Sequence, residues 1–184
     1  MHITRIQRII ALVVLLTITG LTPASTPAAP AGDHKSPDLP SPLCDRLQVP
    51  SESKVAFHVY AQGVQIYRWG GASWVFVEPR ATLFAAANYH GKVGIHYRGP
   101  TWESNSGSKV VGTRLNGCSP DPTAIPWLLL ETVSTTGPGI FSSVTYIQRV
   151  NTSGGLAPTI PGSSIGQVIE VPYSAEYYFY RDQD

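Results

Sequence analysis

The chain has 184 residues, of which only 14% are charged, and its formal net charge at pH 7 is +1. The sequence contains no cluster of Lys and Arg that would form a basic patch or stripe. A nucleic-acid-binding surface is therefore excluded as the main function. The length corresponds to one domain that is large enough to bury a core of its own.

The N-terminus has the three parts of a secretory signal peptide. Arg5 and Arg8 form a short basic region, residues 9–21 form an apolar run, and residues 22–32 supply small side chains for cleavage. The apolar run is shorter than the ~20 residues that cross a bilayer. We therefore predict a signal peptide over residues 1–29 and a secreted, extracellular mature protein without a membrane span. The alternative is an uncleaved N-terminal anchor.

Residues 30–43 are rich in Pro, Ala and Ser, which predicts a disordered tether. A single β domain is expected over residues 44–184. The chain has two cysteines, Cys44 and Cys118, and in an exported protein such a pair is a disulfide candidate. The alternative is two free buried thiols. The cysteines and histidines lack zinc-site spacing, so no metal site is predicted.

After Cys44 the sequence consists of short β-rich runs separated by Gly, Pro, Asn and Ser. Apolar and polar residues alternate along these runs with a period of two, which is typical of half-buried strands. About nine such runs predict an all-β fold, an antiparallel sandwich or barrel, with at most one short helix at residues 80–88. The runs are "KVAFHVYA", "GVQIYRW", "SWVFVEP", "KVGIHY", "SKVVGTR", "WLLLETV", "IFSSVTYIQRV", "QVIEV" and "AEYYFYR".

The stretch "HYRGPTWESNSGS" sets several chemically active side chains around a Gly-Pro break. In the preceding strand we predict that Val93, Ile95 and Tyr97 bury one face, so that His96 points to the opposite side. Proline cannot donate to a strand ladder, so the chain is expected to bend at the break. The bend is predicted to bring Glu103 within reach of His96.

Two interpretations of this corner stay open. A histidine titrates near neutral pH and a nearby carboxylate tunes it, so His96 and Glu103 are either an acid–base pair or a hydrogen-bonded sheet corner. Trp102 is either an aromatic ligand platform or part of the core. Gln65 and Tyr67, on one face of "GVQIYRW", complete the candidate ligand-binding set of His96, Trp102, Glu103, Tyr67 and Gln65. No catalytic residue is assigned.

Six ordered motifs resemble the family known as domain of unknown function 3455, a group of small exported proteins of bacteria and fungi. The motifs are "GVQIY", "HYRGPTWES", "GSKVVG", "IPWLLLETVS", "VTYIQRVNTSGGLAP" and "VPYSAEYYFY". The resemblance implies no established activity. Relatives often carry cysteines where this chain has Arg68 and residues 159–164, which implies that Cys44–Cys118 is the only disulfide available here.

Several enzyme classes lack their motifs. The chain has no GxSxG nucleophile elbow and no GxGxxG dinucleotide-binding turn, so no cofactor is predicted. The favoured hypothesis is a secreted β-domain that binds a small molecule or a cell-surface component. The alternative is a small extracellular enzyme that uses a His96/Glu103 acid–base pair. A third hypothesis is an envelope protein without a small ligand.

Overall fold

The structure, a computed structural model, describes residues 35–183. Eight antiparallel strands pair each with the next, and the first pairs with the last, so the sheet closes into a barrel. The predicted all-β fold is confirmed. The strands are β1 Ser53–Trp69, β2 Trp74–Phe84, β3 Lys92–Tyr97, β4 Thr101–Ser104, β5 Lys109–Cys118, β6 Trp127–Thr136, β7 Tyr146–Gly154 and β8 Val168–Asp182.

The predicted runs merge in two places. "KVAFHVYA" and "GVQIYRW" form the single 17-residue strand β1, and "QVIEV" and "AEYYFYR" form the 15-residue strand β8. Gly63 joins the two halves of β1, and a Cβ there would lie 2.1 Å from the Arg80 carbonyl oxygen. The glycine therefore marks a close approach of two backbones and not a strand end. The short segment Thr101–Ser104 adds the strand β4.

The one helix candidate, residues 80–88, does not form a helix. Residues as far as Phe84 belong to β2, which pairs with β1 on one side and with β3 on the other. Ala81 and Leu83 alternate into the core. Pairing on both edges satisfies the backbone and outweighs the helix propensity of the alanines. The 3-10 turn Asp45–Leu47 is the only helical element among the described residues, and none of their helices could span a membrane.

A second core lies on the outside of the barrel, beneath the segment that precedes β1. Cys44 and Leu47 are fully buried there, and the disulfide Cys44–Cys118 ties this segment to the end of β5. The predicted disulfide is present. Leu39, inside the predicted tether, already packs against this outer core. The predicted signal peptide at residues 1–29 lies outside the described residues.

The up-and-down topology places the connections alternately at two ends of the barrel. At the end that holds the β6–β7 connection, Phe141 and Val144 insert into the interior and are buried. We call this the packed end. At the opposite end, where β1 turns into β2 and β3 into β4, the interior keeps a cavity, and we call this the cavity end.

Candidate functional site

A cavity of about 260 Å³ lies inside the barrel at the cavity end. This volume falls below the ~300–1,000 Å³ of pockets for drug-sized ligands, so it suits a smaller molecule. Its walls are largely apolar and include Phe76, Pro79, Pro100, Leu128 and Leu130. A few polar and aromatic side chains converge among them, namely Gln65, His96, Trp102, Arg149 and Tyr177.

His96 and Trp102 face the interior together because they are direct cross-strand partners in β3 and β4. Side chains directly opposite each other on antiparallel strands share a face. Their rings stack with centroids 4.4 Å apart and planes 15° from parallel. Only 3% of His96 and 1% of Trp102 is exposed. The two rings therefore form a rigid aromatic wall of the cavity.

The chemistry of His96 is set by one backbone hydrogen bond. Its Nδ1 lies 2.9 Å from the carbonyl oxygen of Thr101, and since a carbonyl only accepts, Nδ1 carries the proton and donates. Burial lowers the pKa of His96 to about 3, the Thr101 bond opposes this shift, and the Arg149 charge adds to it. His96 is therefore neutral at pH 7, and its Nε2 presents a lone pair as a hydrogen-bond acceptor.

Other lining residues carry buried donors. Nε2 of Gln65 and Nε1 of Trp102 have no hydrogen-bond partner among the described residues. A buried polar group without a partner costs about 1–3 kcal/mol. Both residues line the cavity, but neither nitrogen is itself exposed to it, so pairing with a bound molecule requires a shift of the side chain.

Arg149 brings a positive charge to the cavity from β7. Its Nε and Nη2 donate to the carbonyl oxygen of Pro126 at 3.1 and 2.8 Å. Its cross-strand partners are Leu128 in β6 and Tyr177 in β8, and both also line the cavity. Burial raises the pKa of Tyr177, and the Arg149 charge lowers it. The Tyr177 phenol therefore stays protonated at neutral pH.

Glu103 lies on the outer face of the sheet. Its cross-strand partner is Ile95, which is 38% exposed. The Tyr97 hydroxyl donates to Oε2 of Glu103 at 2.8 Å, and the Lys109 ammonium lies 3.2 Å from the same atom. These bonds, the one from Tyr97 first, hold the pKa of the Glu103 carboxyl below its ordinary value. The predicted pairing of Glu103 with His96 is wrong.

The error came from which face of β3 was taken as buried. Ile95 and Tyr97 look like core residues in the sequence, but they point outward, and His96 points inward. The inner face of β3 instead carries residues that leave room for the large side chains of the neighbouring strands. A Cβ at Gly94 would lie 2.3 Å from the Glu103 carbonyl oxygen, so this position tolerates no side chain. Large rings from β4 and β8, Trp102 and Tyr177, fill the space that Ile95 was expected to occupy.

Of the five candidate ligand-binding residues, the structure brings together Gln65, His96 and Trp102 in one cavity lining. Tyr67 is buried nearby in β1, but its hydroxyl donates to the carbonyl oxygen of Gly155 at 2.7 Å and so fixes the β7–β8 connection. Burial raises the pKa of Tyr67, and the Arg149 charge lowers it. Within the described residues, no group of His, Cys, Asp and Glu side chains is arranged to hold a metal ion.

Sequence reasoning missed Arg149 and Tyr177 as cavity residues. The signal for Arg149 was present in "VTYIQRV", where the arginine shares the period-two face of Ile147, a core residue. A charged residue on the apolar face of a strand indicates that the protein interior contains a polar site at that position. Tyr177 lies in a run of aromatics whose two faces are both buried, so the pattern did not single it out.

The comparisons with known proteins agree with the motifs. The family described as "Protein of unknown function (DUF3455)" matches residues 50–181, which includes all eight strands except the last residue of β8. No curated protein and no solved structure matches the chain. The match covers well over half of the sequence and confirms the resemblance. The chain belongs to the DUF3455 family.

Proposed function

We propose that the protein is a secreted binding domain that takes a small molecule into the cavity end of its barrel. One observation carries the proposal. The lining of an apolar cavity combines His96, whose Nε2 is a hydrogen-bond acceptor, with Gln65 and Trp102, whose buried N–H donors have no partner. Apolar walls with a few convergent polar groups are the usual form of a small-molecule site. A ligand with matching polar atoms offsets the cost of leaving these groups unpaired.

Export is part of this proposal. The N-terminal pattern of residues 1–29 supports it, and so does the disulfide Cys44–Cys118, because disulfides persist mainly in oxidising compartments. The enzyme alternative lacks its pair, since His96 and Glu103 lie on opposite faces of the sheet. With its pKa near 3, His96 is also a poor proton acceptor at neutral pH.

The test is a screen of small fragments against the full chain, read out by thermal shift and tryptophan fluorescence. The informative variant is Gln65→Met, which removes the unpaired donor at similar side-chain length. We expect the free protein to keep its stability or gain about 1 kcal/mol, because a buried unpaired donor is removed. We expect fragments that bind the wild type to bind this variant about tenfold more weakly.

Gln62→Met is the matched control, because Gln62 is exposed on the other face of the same strand. It should change neither stability nor binding. The proposal is contradicted if no fragment binds the wild type. It is also contradicted if Gln65→Met lowers stability by more than about 2 kcal/mol while the affinity for fragments stays the same, since the amide would then serve packing.

A further inference from the structure

The positive and negative charges of the residues that line the cavity do not cancel. They are Glu78, Arg98 and Arg149. Glu78 is matched at the mouth of the cavity, where Nε of Arg98 lies 2.9 Å from its Oε2. None of the ion pairs in the described part of the chain includes Arg149. With His96 neutral, the lining keeps one positive charge.

The positive charge of Arg149 lies largely inside the barrel and not on its surface. Arg149 is only partly exposed, and Leu128 and Tyr177 flank it on the neighbouring strands. Burial raises the pKa of Tyr173, and the Arg149 charge opposes that shift, as it does for Tyr67 and Tyr177. A guanidinium stays charged at every physiological pH, so its desolvation is offset only by an anion or by strong acceptors.

The known hydrogen bonds of Arg149 leave part of its guanidinium free. Two N–H groups, on Nε and Nη2, point to the Pro126 carbonyl oxygen. A guanidinium has five N–H donors, and Arg149 also lowers the pKa of the Tyr177 hydroxyl by hydrogen bonding, so two donors remain for an acceptor in the cavity. Guanidinium and carboxylate match each other in geometry and charge. The rest of the lining, with Phe76, Pro79 and Leu128, favours an apolar body.

We propose that the ligand is a small monocarboxylic acid, bound as its anion, with the carboxylate on Arg149 and the apolar body against the walls of the cavity. This inference rests on the proposed function and specifies the class of ligand. One charge is unmatched, so one carboxylate balances it. The volume of about 260 Å³ limits the body to the size of a small ring or a short chain.

The test compares acids with amides of the same shape. Benzoate is paired with benzamide and hexanoate with hexanamide, and dissociation constants are measured at pH 7 on the full chain. At least one acid should bind about tenfold or more tightly than its amide, as expected for a charge-assisted pair. Arg149→Gln keeps an N–H donor for the Pro126 carbonyl but removes the charge. In this variant the preference for the acid should fall to within about twofold.

Arg68→Gln is the matched control, because it removes the same charge from an exposed guanidinium that lies outside the cavity lining. The preference for the acid should survive there within about twofold. Arg149→Lys keeps the charge without the planar fork and should retain a reduced preference for the acid. It separates loss of charge from damage to the fold.

The outcomes distinguish this inference from the proposed function. If the amides bind as tightly as the acids, the inference is overturned and the proposed function stands. If fragments from the screen bind in the cavity but all of them are neutral or cationic, the inference is likewise overturned and the proposed function stands. If neither member of either pair binds and the screen is also empty, the proposed function fails as well. An acid preference that persists in Arg149→Gln overturns the assignment to Arg149.

Discussion

The two ends of the barrel interior are built from the same eight strands but differ in how they are filled. At the packed end, Phe179 is fully buried, and its ring centroid lies 4.6 Å from that of Phe57 and 5.0 Å from that of Phe141. At the cavity end, Gln65, His96 and Arg149 line the cavity. One end therefore stabilises the fold, and the other carries polar groups without partners.

This difference in packing explains how a small domain can remain stable with a partly polar cavity. Unpaired buried polar groups cost about 1–3 kcal/mol each, and a domain has only ~5–15 kcal/mol of stability in total. The apolar contacts of the packed end offset this cost. Natural proteins tolerate such local cost mainly where function needs it.

The largest expected effect tests the packed end directly. Phe179→Ala should lower the free energy of unfolding by about 5 kcal/mol, because it leaves a void among tightly packed rings. Phe76→Ala, at the mouth of the cavity, removes a side chain that is 50% exposed and should cost about 1 kcal/mol. Denaturant unfolding measures both. Equal losses would mean that the two ends do not differ in packing.

Reduction of the disulfide is the next largest effect. The bridge Cys44–Cys118 closes a loop with a sequence separation of 74, so the chain-entropy relation gives a loss on the order of 4 kcal/mol. Cys118 ends β5 and pairs with Trp127, next to the cavity residue Leu128. Hydrogen exchange should therefore speed up first near Cys118.

The control for this experiment is the double variant Cys44→Ser with Cys118→Ser, which should show no further response to reductant. A loss of less than about 1 kcal/mol on reduction of the wild type would contradict the prediction. Uniform acceleration of exchange at both ends of the barrel would show that the bridge stabilises the whole fold and not mainly the cavity end.

The buried neutral His96 predicts a specific sensitivity to acid. Its pKa falls from 6.5 to about 3 on folding, so below pH 6.5 the unfolded chain takes up a proton that the native protein refuses. Stability should then fall with falling pH by up to about 1.4 kcal/mol per pH unit, or about 2–3 kcal/mol by pH 4.5. His96→Gln should flatten this slope, whatever its stability at pH 7.

Urea unfolding at a series of pH values between 4.5 and 6.5 measures the effect. His90→Gln is the matched control, because His90 is exposed in the β2–β3 connection, and it should keep the wild-type slope. If His96→Gln and the wild type lose stability in parallel over this range, His96 is not buried in its neutral form, and the polar lining of the cavity has to be reassigned.

The smallest effect is expected on the outer face. Glu103→Gln removes a carboxylate that Tyr97 and Lys109 contact at the surface of the sheet. Exposed ion pairs contribute little, so the melting temperature should change by less than about 2 °C. Ligand binding should not change at all. A loss of binding in Glu103→Gln would contradict the separation of the inner and outer faces.

The sequence could predict the strands and several members of the cavity. Period-two alternation identified the strands, and unusual side chains around the Gly-Pro break singled out His96 and Trp102. Gln65 entered the candidate set from its place on one face of "GVQIYRW". The two cysteines, in a chain with a predicted signal peptide, predicted the bridge that the structure contains. These features are local, and local patterns are what a sequence records.

Only the tertiary structure decided which face of each strand points inward. Alternation shows that His96 opposes Ile95, but it does not show which of them is enclosed. Closure of the sheet between β1 and β8 limits the volume inside, and rings from β4 and β8 fill it, so β3 contributes Gly94 and the flat ring of His96. By itself, then, the sequence determined the elements and their chemistry. The closed barrel decided that His96 and Arg149 line one cavity while Glu103 lies outside, because the inner volume depends on contacts between strands far apart in the chain.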